Sequence, residues 1–129
     1  MGGSRAITRA ICVEVESQYV AERSSPEDGE WFFVYTVRVT NQGEEVVQLV
    51  SRHWVITDAT GHVEEVKGPG VVGEQPVLQA GESFEYTSAC PLSTPVGSMH
   101  GSYQMVTTSG ERFDARIAPF SLRQPLAVH

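Results

Sequence analysis

The chain has 129 residues, with 9 lysines and arginines against 16 aspartates and glutamates and a formal net charge of -7. That length suits one domain built on a single core, and that charge repels phosphate backbones and anionic lipid, which argues against nucleic acid as a direct partner. No run of the sequence approaches the ~18 apolar residues of a membrane-spanning helix, so no membrane partner is expected either.

The first residues, Met1-Gly2-Gly3-Ser4-Arg5-Ala6, contain no apolar signal core and no myristoylation pattern. The cytoplasm is therefore the expected compartment, and residues 1–5 are expected to form a flexible tail ahead of a domain over 6–122. Apolar residues then recur at every second position: Ile11, Val13 and Val15; Phe33, Tyr35, Val37 and Val39; Phe84 and Tyr86; Met99, Tyr103 and Met105; Phe113, Ala115 and Ile117. That period belongs to half-buried strands. Clusters of turn-forming residues separate these runs, at 24–29, 41–43, 58–61, 80–81 and 109–110. In the third strand the parity changes from Val47 and Leu49 to Trp54 and Ile56, and a β-bulge near Ser51 and Arg52 reconciles the two phases. Residues 123–129 are expected to form a second flexible tail.

No window carries a helical stripe of useful length, so the pattern predicts an all-β chain of seven or eight antiparallel strands. A lone sheet would leave one apolar face wet, which favours a two-sheet antiparallel sandwich of immunoglobulin-like or fibronectin type III-like form. The cysteine pair flanking a tryptophan that marks antibody domains is absent, which favours the fibronectin-like variant. Cys12 and Cys90 are far apart in sequence and lie in no metal-binding pattern, so two buried free thiols are expected.

Gly68, Gly70 and Gly73 share the spacing of a dinucleotide-binding loop, but that chemistry needs a helix to open directly after the last glycine. Here Glu74-Gln75-Pro76-Val77 follows, and Glu64, Glu65 and Glu74 surround Lys67, the only lysine in the chain. The loop is read as structural, shaped by positive-φ turns, with Val71 and Val72 as candidates for contact with another protein. Two alternatives stay open. In one, the amides of residues 68–73 form an anion nest for a phosphate or nucleotide; in the other, acids and histidines converge on a divalent cation.

Arg52, His53 and Trp54 stand together on a strand. The plainer reading puts Trp54 in the core and satisfies Arg52 or His53 locally; the sharper one makes one of the three an exposed recognition residue. His53, His62, His100 and His129 show no spacing that places two imidazoles on one metal. No nucleophile elbow or Cys/His pairing is present, and Cys90-Pro91 reads as a strand-end thiol beside a turn. The residues assign no catalytic group, no cofactor and no metal ligand.

Taken together, Leu49, residues 51–54, residues 68–76, Gly81-Glu82-Ser83-Phe84-Glu85-Tyr86 and Gly97-Ser98-Met99-His100-Gly101-Ser102-Tyr103-Gln104-Met105 closely resemble the ApaG family, from about Ile7 to Phe120. The resemblance implies a fibronectin type III-like sandwich. Because the same domain occurs as a module in eukaryotic F-box proteins and in a polymerase-delta-interacting protein, it also implies a protein-binding role. Bacterial members are associated with cobalt and magnesium tolerance and with the genes of dinucleoside tetraphosphate breakdown, and the resemblance carries over no catalytic motif. The expected function is a non-enzymatic module that binds another protein, a second copy of itself included, through a sheet face, a free strand edge or the loop of residues 68–76.

Overall fold

The computed structural model describes residues 2–125, and two antiparallel sheets make up nearly all of it. The first sheet has the order β1-β2-β3-β7, formed by β1 (Gly2–Thr8), β2 (Ile11–Tyr19), β3 (Trp31–Asn41) and β7 (Ser83–Leu92). The second has the order β5-β4-β8-β9, from β5 (Val63–Pro69), β4 (Val47–Asp58), β8 (Val96–Thr107) and β9 (Arg112–Arg123). A two-residue strand, β6 (Val77–Leu78), pairs with the start of β4. The result is a sandwich, as the alternation predicts, with two short 3-10 turns at Ala21–Arg23 and Pro26–Asp28.

The alternating residues meet between the sheets. Val13, Val15, Phe33, Val37 and Val39 from one layer bury against Leu49, Met99, Met105, Ala115 and Ile117 from the other. Trp54 is the hub of the aromatic part of this core. Its ring lies 5.2 Å from Tyr35, 5.9 Å from Phe120 and 6.3 Å from Tyr103, in edge-to-face arrangements that suit the quadrupoles of the rings. The parity change in β4 is resolved by a register shift between Leu49 and Ser51, which leaves Val50 without a partner on β8.

The N-terminal expectation is corrected. Residues 2–5 belong to β1, which pairs with β2 from Gly2↔Ser17 to Thr8↔Ile11. The strand hides in the sequence because Gly2-Gly3-Ser4 offers no apolar alternation. Its hairpin turn is Arg9-Ala10, two residues held at φ 46° and 65° where glycine or asparagine would be usual. With β1 and the small β6 the described strands number nine. At the other end Arg123 closes β9 and Gln124 accepts a hydrogen bond from the Trp31 indole at 2.9 Å, so the ordered domain runs past 122. The rest of the expected C-terminal tail, 126–129, lies outside the described residues.

The first strand also closes one long side of the sandwich. Ser4 Oγ donates to the Ala118 carbonyl, Ser17 Oγ donates to the Ser121 carbonyl, both at 2.7 Å, and the Arg116 amide donates to Thr8 Oγ1 at 3.1 Å. Side chains thus tie β1 and β2 to β9. The opposite side, between β5 and β7, has no such ties among the described residues, and each of those strands has one unpaired edge.

Candidate functional site

The glycine loop leaves β5 at Pro69 and is held by β4 from below. Arg52 stands opposite Gly68 in the β4–β5 ladder, and its Nη1 donates to the carbonyls of Pro69 and Gly70, each at 2.9 Å. Gly68 makes room for this staple: a Cβ there would lie 3.0 Å from both terminal guanidinium nitrogens. Gly70 has a different task. Its φ is +58°, its amide donates to the Val50 carbonyl at 2.8 Å, and a Cβ would lie 2.1 Å from the Glu74 carbonyl oxygen. Farther on, Gln75 Nε2 donates to the same Val50 carbonyl at 2.8 Å, and Gln48 Nε2 donates to the Gln75 carbonyl at 3.1 Å. The unpaired residue of the bulge is therefore an anchor for the loop.

At the tip, Val71 and Glu74 exchange two backbone hydrogen bonds of 2.8 Å around Val72 and Gly73, whose φ values are 42° and 82°. This is a two-residue turn with both central residues in the left-handed region. It points the two valines in opposite directions. Val71 is 1% exposed and belongs to the core, whereas Val72 is 56% exposed. The expectation that both contact a partner is thus corrected: only Val72 is accessible. No helix follows Gly73, and the amides of Gly70, Val71 and Glu74 are already engaged, which leaves those of Val72 and Gly73 as the free donors at the loop tip among the described residues.

Among the three candidate recognition residues, Trp54 is buried at 2% exposure and is a core residue. Its Nε1 has no hydrogen-bond partner, while the nearby Tyr86 and Tyr103 hydroxyls bond to each other. Burial pushes both phenols up, Tyr103 well above the usual tyrosine range. Arg52 is half-buried and committed to the loop carbonyls. His53 is the partly accessible member, and its Nε2 lies 2.6 Å from Glu65 Oε1. Beside it an open depression of about 530 Å³ is lined by Lys67, Gly68, Pro69, Gln75 and Gln104 together with Arg52 and His53. Lys67 makes no ion pair among the described residues. In the sequence Lys67 stands out only as the single lysine among acids, and Gln75 and Gln104 only as members of longer motifs, so none of the three is assigned to a site.

Both cysteines are free and buried. Burial, with a smaller contribution from Glu64, pushes the Cys90 thiol up to about 11, so it is held as a thiol near neutral pH. Among the described residues no group of three or more His, Cys, Asp and Glu side chains is placed to share a metal ion.

Two packed sheets and an internally stapled glycine loop define a small β-sandwich domain, and comparison with known proteins identifies its kind. The model of the ApaG domain matches residues 21–107. Protein ApaG of Bradyrhizobium sp. (strain ORS 278) is 60% identical over 121 residues, covering 94% of this chain and 93% of the relative. Protein ApaG of Rhodospirillum centenum is 58% identical over 119 residues, covering 92% of each. A crystal structure of the putative ApaA protein from Bordetella pertussis superposes with a TM-score of 0.88 at 50% identity, over 91% of this chain and 95% of that one. The chain belongs to the ApaG family. The names of these relatives state no reaction.

Proposed function

We propose that this chain is a non-enzymatic binding module that recognises another protein through the tip of the stapled loop and the depression beside it. One observation carries the reading: Val72 combines a φ of 42° with 56% exposure. A β-branched residue in the left-handed region costs ~1–3 kcal/mol, and strain of this kind persists where the surrounding structure holds it for a purpose. Burial of Val71 and the two Val71–Glu74 hydrogen bonds hold the turn in place, but the Val72 side chain itself, left in water, adds nothing against the strain. A partner that buries Val72 would offset that strain. The Arg52, Gln48 and Gln75 hydrogen bonds fix the loop in advance, which lowers the ordering cost of association.

In this reading the module acts in the cytoplasm, where two free buried thiols are at home, and any link to cobalt or magnesium tolerance runs through the bound protein. Val72→Gly tests it, because it removes the side chain and relieves the strain together. The expected outcome is a variant more stable by about 1 kcal/mol that no longer retains the partner captured by the wild-type chain, with loss of the partner's footprint on residues 70–75 when the purified pair is reconstituted. A variant that captures the same protein with the same footprint refutes the proposal.

A further inference from the structure

We infer that the open seam between β5 and β7 is a second binding groove, which takes an extended segment of a partner protein with the pattern basic-x-apolar-x-acidic. Both strands bordering the seam have an unpaired edge, and two hollows lie along it. The first, about 180 Å³, is lined by Arg52, Ile56 and Val66 on one side and Ser88, Ala89 and Cys90 on the other. The second, about 110 Å³, is lined by Ile56, Asp58 and Glu64 facing Pro91, Leu92 and Ser93. Ile56 lines both, so they are two parts of one groove.

The groove is apolar in the middle and oppositely charged at its ends. Val66 is 37% exposed beside Ile56, a position that would be covered if the first sheet extended one strand farther. Among the described residues neither Arg52 nor Glu64 has an ion-pair partner, and Arg52 gives only Nη1 to the loop carbonyls, so each end keeps its charge. Arg52 and Ile56 are four positions apart on β4, and Glu64 stands opposite Ile56 in the ladder, so the charged ends are separated by roughly 13 Å along the strand direction at ~3.3 Å per residue. An extended segment spans that distance with residues i and i+4, which leaves i+2 over Val66, level with Trp54 in the ladder.

The edge of β7 supplies backbone acceptors throughout and donors at every residue but Pro91 for such a segment, by the same strand addition that other open sheets use. Residues 88–90 of β7 border the Arg52 end and residues 91–93 the Glu64 end, so β7 runs from the cationic end to the acidic one. A segment pairing antiparallel to it enters at Glu64 and leaves at Arg52. This order places its basic residue first and its acidic residue last.

The probe is the capped peptide Thr-Lys-Thr-Val-Thr-Glu-Thr, titrated into the full chain and followed by backbone amide shifts and amide exchange. The expected result is saturable binding with protection among the amides of residues 88–90, 92 and 93, Pro91 having none, and shifts across Val63–Pro69. Glu64→Lys, an exposed substitution that breaks no hydrogen bond of the fold, is expected to weaken binding about tenfold, and a peptide with Glu in place of Lys recovers it on that variant. Absence of binding at millimolar peptide, shifts confined to residues 70–75, or equal affinity of both peptides for both proteins would overturn the inference. Val72→Gly leaves peptide affinity unchanged, so failure at the seam and failure at the loop are read separately.

Discussion

Arg52 and Gly68 form one device, and a double-mutant cycle exposes it. Arg52→Ala removes two charge-assisted hydrogen bonds of 2.9 Å to the Pro69 and Gly70 carbonyls. Such bonds contribute ~1.5–3 kcal/mol each when protected, but these sit at a half-open surface where water can replace the guanidinium, so a combined loss of about 2 kcal/mol is expected. With an unfolding entropy of ~2.1 cal/mol/K per residue, that loss lowers Tm by about 7 °C. Gly68→Ala acts on the same bonds from the other side: its φ is not positive, so the added methyl brings no backbone strain and acts only by pressing on the guanidinium 3.0 Å away. In the wild-type background it should cost ~1 kcal/mol by displacing Arg52; with Arg52→Ala already in place it should cost nothing, since the obstructing side chain is gone. Urea denaturation of the four proteins measures the coupling, expected at ~1 kcal/mol. Additivity within ~0.3 kcal/mol would show that Gly68 is there for some reason other than the staple.

Gly70→Ala should destabilise by more than ~3 kcal/mol, because its Cβ meets the Glu74 carbonyl at 2.1 Å with no flexible atom to yield, whereas Gly73→Ala meets nothing within 4 Å and should lose only the ~1–2 kcal/mol of the left-handed conformation; equal urea midpoints would refute the distinction. Deleting residues 1–5 should lower Tm by at least 5 °C or so, since it removes most of the β1 ladder and the Ser4 tie to Ala118; an unchanged melting curve would restore the view of these residues as a tail. The pH dependence has a definite sign. Cys90 is raised by burial from 9.0 to about 11, so the unfolded chain releases this proton first, and its contribution is full below pH 9 and lost as pH rises toward 11. The shift is equivalent to about 2–3 kcal/mol, and Cys90→Ala should show a correspondingly shallower alkaline loss than wild type, with superposable slopes as the contrary result.

Side-chain alternation was enough to read the sandwich because each buried layer repeats with period two over strands of 9–12 residues. It placed the bulge within a residue or two, because a parity change in a half-buried strand has no other inexpensive resolution. It missed β1 because that strand is not held by an apolar stripe: its half-buried residues work through hydroxyl bonds to β9 and an unconventional Arg9-Ala10 turn. The site was legible only as a neighbourhood. Residues 68–73 and 52–54 do come together, but the local sequence does not tell Val71 from Val72, since one step through a left-handed turn sends one valine to the core and its neighbour to water. Nor could Arg52 be seen as a staple before its ladder partner was known to be a glycine.

The three glycines that invite a nucleotide-binding reading therefore serve three separate mechanical ends. Gly68 admits a guanidinium, Gly70 admits a carbonyl, and Gly73 completes a left-handed turn. A phosphate cradle needs small residues so that free amides can approach an anion; here the same smallness lets the chain's own groups approach, a guanidinium that holds the Pro69 and Gly70 carbonyls and a carbonyl that takes the Val71 amide. The loop is consequently stiff and closed toward the protein, with Val72 as its outward apolar side chain. A phosphate that reached beyond the two tip amides would have to displace hydrogen bonds that hold the loop, whereas a surface that packs on Val72 displaces only water. That asymmetry makes protein contact the better supported reading of the loop, and it depends on the same Arg52–Gly68 contact that the double-mutant cycle measures.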